Sequence, residues 1–306
     1  MSKDICPTFV IGTGRCGLTP LMDLISYHKS FSWPSQYNAK NPKFYSLSLL
    51  SRMHDISIVS RLLKFKRYIP THSEAYSFWN SLFFGFRRPF RDLEAYDVMP
   101  NVEEKFHNAI GKLMKYQGKG QFIAEYSGWS RIAFFNEIFP HCRFIHIVRD
   151  GRAVANSLLN VSYWKGWEGI HKWRWGVPDK ELLGILDKYN HSYIALAAIQ
   201  WKILVNNIMD KSKILPLDRF LTIRYEDMVN DPLAIANECI DFIGVERDCK
   251  SFQKHLRGVK IIDANNNYFR IPSWRESLSA NQIHVLNDIL MKELNYFSYS
   301  LLDLTE

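Results

Sequence analysis

The feature that most narrows the possible folds lies almost at the N-terminus: Phe9-Val10-Ile11-Gly12-Thr13-Gly14-Arg15-Cys16-Gly17-Leu18-Thr19-Pro20. Phe9 to Ile11 is an apolar run of the kind a parallel sheet buries on both faces. The glycines that follow let the backbone turn sharply and bring its amides close to a ligand. Pro20 suits a first helical turn, where a missing N–H costs nothing. Leu21, Leu24 and Ile25 then recur at the spacing of a helix with one buried face. Strand, glycine turn and helix in that order leave free amides and the positive end of a helix dipole at the junction, which makes a seat for an anion.

Three ligand-binding readings of this loop compete with a plain glycine turn that binds nothing. Gly12-x-Gly14-x-x-Gly17 matches the dinucleotide fingerprint, but that motif needs an acid roughly 20 residues on, at the end of a second strand, to hold a ribose. Residues 31–38 read Phe-Ser-Trp-Pro-Ser-Gln-Tyr-Asn, with no acid and little strand character. Gly12-x4-Gly17-Leu18-Thr19 matches a Walker A loop except that Leu18 stands where the lysine on the β/γ-phosphates belongs. The third reading keeps the phosphate cradle and moves its cation to Arg15.

A second stretch decides among them. Arg143-Phe144-Ile145-His146-Ile147-Val148 is another strand-like run, followed by Arg149-Asp150-Gly151 and, eight residues after Arg149, by Ser157. Arg149 ends the strand, where open α/β sheets place ligands, and Ser157 lies about two turns into the next helix. An arginine fork and a hydroxyl so arranged can grip a second phosphate.

With these residues in place the chain resembles the sulfotransferases that use 3′-phosphoadenosine 5′-phosphosulfate (PAPS). Their first loop cradles the 5′-phosphosulfate with a basic residue ahead of a small residue and glycine, as Arg15-Cys16-Gly17 does here. Their second motif binds the 3′-phosphate with an arginine and a serine at the spacing of Arg149 and Ser157. A third likeness is Ile223-Arg224-Tyr225-Glu226-Asp227, followed by a helix and Phe242-Ile243-Gly244, with the tyrosine expected near the adenine. Two departures stand out. Leu18 replaces the first of two loop hydroxyls and leaves Thr19 alone, and Arg15 stands where many cytosolic members have lysine.

The resemblance implies a P-loop-type α/β fold, a central parallel sheet with helices on both faces, and PAPS as donor with PAP as product. Gly14, Arg15, Cys16, Gly17, Leu18, Thr19 and Pro20 would form the first phosphate cradle. A basic loop with a tryptophan closes over the 3′-phosphate in the family, and Tyr268-Phe269-Arg270-Ile271-Pro272-Ser273-Trp274-Arg275 looks like a shortened relative. Arg270, Trp274 and Arg275 are therefore expected there, with a basic surface loop as the alternative.

Sulfuryl transfer, like phosphoryl transfer, needs a cation at the leaving phosphate, donors on the equatorial oxygens and a base for the acceptor. Arg15 is the expected cation, and no metal is required. The family takes its base from a residue after the strand preceding the 3′-phosphate strand, or from a glutamate on another loop. Glu125, in Ala124-Glu125-Tyr126-Ser127, is the first expectation. His28, His54, Asp55, His72 and Glu74 are the others.

At 306 residues and 47% hydrophobic content there is enough chain for one large α/β domain over residues 1–306. The sheet pattern lapses over about residues 41–117, which predicts a helical insertion after the first βα unit, with helices over residues 45–53 and 102–115, forming one wall of the acceptor pocket. Strands are expected at residues 121–124, 143–148 and 220–224, and helices over 129–139, 181–209 and 282–296. Residues 163–175 hold four tryptophans interrupted by glycines. They read as a loop whose ring faces suit sugars, flat hydrophobic molecules or cations.

The formal charge of +8 suits a multiply anionic nucleotide. Its lysines and arginines are spread rather than run together, so no nucleic-acid partner is expected. The five cysteines lack metal-ligand spacing, and Cys16 reads as a small packing residue. Without a signal peptide or a long apolar span, the chain is expected to be cytoplasmic and to have no membrane span. The expected function is sulfuryl transfer to a small-molecule or carbohydrate hydroxyl or amine. A P-loop kinase and a catalytically degenerate PAP/PAPS-binding protein are the alternatives.

Overall fold

The computed structural model describes residues 5–55, 69–247 and 274–301. β1 (Thr8–Gly12), β2 (Phe31–Ser32), β3 (Gln121–Ser127), β4 (Arg143–Val148) and β5 (Phe220–Arg224) form one sheet. Its order is β2-β3-β1-β4-β5, with every pair parallel. The helices are α1 (Leu18–Ile25), α2 (Gln36–Lys40), α3 (Tyr76–Leu82), α4 (Pro100–Gln117), α5 (Ile132–Ile138) and α6 (Gly151–Leu159). There follow α7 (Lys180–Lys188), α8 (Tyr193–Ser212), α9 (Tyr225–Asn230), α10 (Pro232–Ile243), α11 (Trp274–Ser277) and α12 (Ala280–Tyr296).

Strand alternation sorts the core into two faces. Val10, Ile123, Ile145, Ile147 and Ile223 pack on α1 and α10. Phe9, Ile11, Phe122, Ala124 and Phe144 point the other way, into an aromatic core with α3, α4 and α5. There Phe9 stacks on Phe135 at 4.0 Å between ring centroids. Both strands flanking β1 are buried on both sides, which is why apolar residues follow one another at Phe122-Ile123-Ala124 and Phe144-Ile145 rather than alternating with polar ones. The result is the expected three-layer α/β architecture. Among the described residues no helix is long and apolar enough to cross a membrane.

The structure amends the sequence reading at four points. Phe31 and Ser32 do form a strand: Gln121 N–H donates to Ser30 O at 2.9 Å and Ser32 Oγ to Gln121 O at 2.9 Å. A tertiary edge thus makes a strand that local composition does not, and the helical insertion follows β2 rather than α1. Residues 45–55 wind as a 3-10 helix rather than an α-helix. The stretch expected to be largely helical over 181–209 resolves into two helices, parted where Asn190 and His191 take φ of 48° and 53°. The helix expected from residue 129 starts at Ile132, because Arg131 takes φ 48° and its N–H donates to Asp92 Oδ1 at 2.9 Å.

Candidate active site

From the central β1 the chain crosses to the edge strand β2, returns to β3 beside β1, and then fills the other side through β4 and β5. The carboxyl ends of β1 and β4 therefore open a crevice at the point where the strand order reverses, the usual ligand position in such sheets. The loop at residues 13–17 leaves β1 into that crevice, and Arg149 leaves β4 beside it.

Close approach dictates the loop's glycines. Gly17 sits at φ 100°, and a Cβ there would fall 2.3 Å from the Tyr225 ring. A Cβ on Gly12 would fall 2.4 Å from Cys16 Sγ and 2.8 Å from Ile147 O. Cys16 is fully buried against this turn, and burial pushes its thiol up to about 11, as befits a packing residue rather than a nucleophile. Arg15 itself is left-handed, with φ 57°, an uncommon state for a residue with a Cβ. The turn directs the Arg15 carbonyl toward Arg149, whose Nη1 donates to it at 3.0 Å.

The side chains of the two distant motifs meet. Arg15 Nε donates to Ser157 Oγ at 2.9 Å across 142 residues of sequence. Arg149 lies over the Tyr225 ring at 4.6 Å, and that ring also fills the space a side chain on Gly17 would need. Tyr225 is held in turn by its neighbour: Glu226 accepts from the Asp150 N–H at 3.1 Å and from Tyr299 Oη at 2.7 Å.

Gly17 caps α1 without a side-chain hydrogen bond, and no acid lies in the first turn. The Leu18 and Thr19 amides thus face the crevice with the helix dipole behind them. Leu18 is 5% exposed and packs into the α1 core. The position a Walker loop gives to lysine is thus held by an apolar side chain packed into the sheet–helix interface.

The residues expected as bases divide. Glu125 is 2% exposed on the α1 side of β3. Its Oε1 accepts from His72 Nδ1 at 2.6 Å, while His72 Nε2 donates to Asp23 at 2.8 Å. Burial alone would lower the His72 pKa, but Glu125 and Asp23 reverse this and push it up to about 10. Glu125 thus lies in a buried ion-pair chain and lines a small side pocket. His28 bonds Glu246 O, His54 bonds Pro70 O and Asp55 pairs with Lys119, and none of the three lines the main cavity.

Glu74 does line it. It accepts from Ser127 Oγ at 2.9 Å, and Tyr76 Oη donates to Ser127 O at 2.7 Å beside it. Desolvation, then the charge of Glu125, holds the Glu74 carboxyl above its ordinary range. The sequence offered Glu74 among several candidates and had no means of ranking it.

These groups share one cavity of about 780 Å³. Its lining includes Arg15, Thr19, Arg149, Ser157 and Tyr225, tied together around the β1 loop, and also Glu74, Tyr76, Arg87, Arg88 and Arg174. Trp164, Trp173 and Trp175 of the tryptophan-rich segment line it as well. Trp164 Nε1 donates to Gln200 at 2.7 Å, and Trp175 packs edge-on to Trp129 at 6.2 Å.

The C-terminal expectations land elsewhere. Trp274 is buried beneath Arg152 at 4.6 Å, Arg275 leans on its ring from outside at 5.5 Å, and neither lines the cavity. Arg270 lies outside the described residues. Among the described residues no group of three or more His, Cys, Asp or Glu is placed to hold a metal ion.

Fold and site together define an α/β protein with a glycine-rich loop at the sheet's switch point, where Arg15, Arg149 and Ser157 meet. The sequence profile of the sulfotransferase family matches residues 7–248, and the chain belongs to that family. It is 24% identical over 186 residues to carbohydrate sulfotransferase 2 of Mus musculus, a match covering 51% of this chain and 34% of that protein. It is 30% identical over 102 residues to the omega-hydroxy-beta-dihydromenaquinone-9 sulfotransferase Stf3 of Mycobacterium bovis, covering 33% of this chain and 23% of that protein. The matches thus span about a third or less of these relatives' lengths. Among solved structures, sulfotransferase STF9 of Mycobacterium avium superposes with a TM-score of 0.64 at 17% identity, over 98% of this chain and 78% of that one. At that identity the likeness is one of fold.

Proposed function

We propose that the protein is a PAPS-dependent sulfotransferase that moves a sulfuryl group to a hydroxyl or amine of a small-molecule or carbohydrate acceptor and releases PAP. The observation that carries this reading is the meeting of Arg15, Arg149 and Ser157 around an uncapped helix start at the β1/β4 switch point. Two arginines and free amides there suit a ligand with two separate phosphate groups. The buried Leu18 disfavours the kinase alternative.

In this reading the Leu18 and Thr19 amides donate to the phosphosulfate. Arg15 neutralises charge gathering on the leaving phosphate, and Arg149 with Ser157 grips the 3′-phosphate. Tyr225 offers its ring to the adenine. Glu74 takes the acceptor proton as the new O–S or N–S bond forms and the S–O bond to the leaving phosphate breaks. Its position in the cavity and its raised pKa favour it over Glu125, which then acts by setting the charge behind it. The acceptor classes named for the relatives, a carbohydrate and a hydroxylated dihydromenaquinone, support a hydroxyl acceptor. We also place the protein in the cytoplasm, consistent with the buried free thiols of Cys16, Cys142 and Cys239.

Calorimetric titration with PAP, ATP and NAD tests the donor site. PAP is expected to bind tightly and ATP and NAD weakly, with Arg149→Ala weakening PAP about a hundredfold through lost charge-assisted bonds. Equal binding of ATP, or indifference to Arg149, overturns the reading.

A further inference from the structure

The cavity is lined by seven basic side chains and one acidic one, Glu74. Four of the seven are engaged. Arg15 and Arg149 belong to the donor end. Arg131 is buried, with its guanidinium donating to Trp129 O and Phe86 O at 2.8 Å each. Lys165 is paired with Glu168. The remaining three, Arg87, Arg88 and Arg174, make no ion pair and no side-chain hydrogen bond among the described residues.

These three converge from two segments. Arg87 and Arg88 precede Pro89 and Phe90, and Arg174 precedes Trp175 and Gly176. The segments run side by side, since a Cβ on Gly176 would touch Phe90 O at 3.1 Å. Arg174 lies against the Trp175 ring at 5.5 Å, and Trp175 is wedged against Gly128 and Trp129. Desolvation, with Arg88 and Arg87 adding repulsion, lowers the Arg174 pKa, while Tyr76 and Glu74 oppose this. Half-buried Arg174 and exposed Arg87 and Arg88 thus bring three cations to one wall, where Glu74, the carboxylate proposed as base, is the one acid among the lining residues. Gathering like charges beside a half-buried arginine is unfavourable, and the repulsion is offset when an anion binds among them.

We infer that the acceptor carries its own anionic group, a carboxylate, sulfate or phosphate, which Arg87, Arg88 and Arg174 bind while its ring rests on Trp175 and its hydroxyl faces Glu74. The inference rests on the sulfotransferase reading. It deepens that reading by placing acidic acceptors, such as uronic acids or sugars that already bear a sulfate, ahead of neutral ones. The three arginines then determine specificity, and Glu74 performs the proton transfer.

The test uses the full chain saturated with PAP and three matched probes: 4-nitrophenyl β-D-glucoside, the corresponding glucuronide, and the glucoside bearing a 6-sulfate. Calorimetry is expected to find both acidic probes about tenfold or more tighter than the neutral one, from one or two charge-assisted bonds. That preference shrinks as ionic strength rises. In an Arg87→Gln/Arg88→Gln/Arg174→Gln variant, and in part in Arg174→Gln alone, the preference collapses while PAP affinity holds. The sulfated and carboxylate arms tell which anion the wall prefers. Equal affinities for neutral and acidic probes, no binding of either kind, or a preference that survives in the triple variant each overturn the inference. So does loss of PAP binding in that variant, which would assign the arginines to the donor. Failure of the wild-type protein to bind PAP overturns the underlying sulfotransferase reading as well, so the two failures are distinguishable.

Discussion

At the donor end of the cavity each functional group is tied to another. Arg149 is bound to the Arg15 carbonyl and stacked on Tyr225, Arg15 is bound to Ser157, and Gly17 is pressed against the Tyr225 ring. At the acceptor end Arg87 and Arg88 are exposed, and all three arginines lack an ionic partner among the described residues. The first end is built from strand termini and helix starts whose positions follow from sheet register. The second is built from the segment before α4 and from the tryptophan-rich connection after α6. Rigid elements pre-organise a site for one invariant ligand and reduce the ordering cost of binding it. Connecting segments allow the other ligand to vary. The contrast predicts that damage to the donor end is felt as lost affinity for PAP, and damage to the acceptor end as lost selectivity or turnover.

The largest expected effect lies where the halves meet. Glu74→Gln is expected to lower kcat by about a hundred- to ten-thousand-fold, the usual worth of a general base, with PAP affinity kept. Steady-state kinetics beside calorimetry would show it, and an unchanged kcat would move the base elsewhere. In the wild-type protein kcat/KM should fall as pH drops through the Glu74 pKa, which burial and Glu125 hold above the ordinary carboxylate range.

Gly17→Ala attacks the donor end alone. Its Cβ would collide with Tyr225 in a backbone state that L-residues disfavour, a strain of about 1–3 kcal/mol. PAP affinity is expected to drop about tenfold or more, while the preference between acidic and neutral probes stays intact. A variant that binds PAP normally would show the loop to be less constrained than this contact implies.

His72→Gln separates support from chemistry. It leaves Glu125 buried without its cation and should cost about 3–5 kcal/mol in urea unfolding. The pH dependence of wild-type stability carries the same signature. His72, raised to about 10 by Glu125 and Asp23 against burial, contributes stability that is full below its unfolded pKa and is lost as pH rises toward 10. His146, fully buried with neither ring nitrogen bonded, is pushed down to about 3 by burial. It contributes stability that is full above its unfolded pKa and is lost as pH falls toward 3. The two together predict a stability maximum near neutral pH, and removing His72 should flatten its alkaline side only.

The smallest effect sharpens the boundary of the site. Arg275 touches only the outer face of Trp274 among the described residues and lies off the cavity. Arg275→Ala is expected to change PAP affinity by less than about threefold, as for an exposed side chain. A larger loss would extend the donor end toward the C-terminal loop.

The sequence by itself determined the parallel sheet, because apolar runs such as residues 8–12 and 143–148 require burial on both faces. It also determined the glycine turn after β1, because Gly14 and Gly17 take positive φ and a side chain on Gly17 would collide with Tyr225. Arg15 and Arg149 were legible for a related reason, since strand ends are local signals, and Ser157 followed from its spacing about two turns into α6; sheet topology then brings the three together. What the tertiary structure alone decided is non-local. Phe31 and Ser32 are a strand because β3 offers them an edge. Glu125 is fixed in an ion-pair chain because the parity of β3 turns it toward His72 and α1, whereas Glu74 reaches the cavity from a loop no periodicity can place. Trp274 is packed under Arg152 rather than over a phosphate, and three arginines from two distant segments share one wall. Such positions depend on which elements pack against one another, and that is settled by the summed burial of the whole core rather than by any stretch of residues.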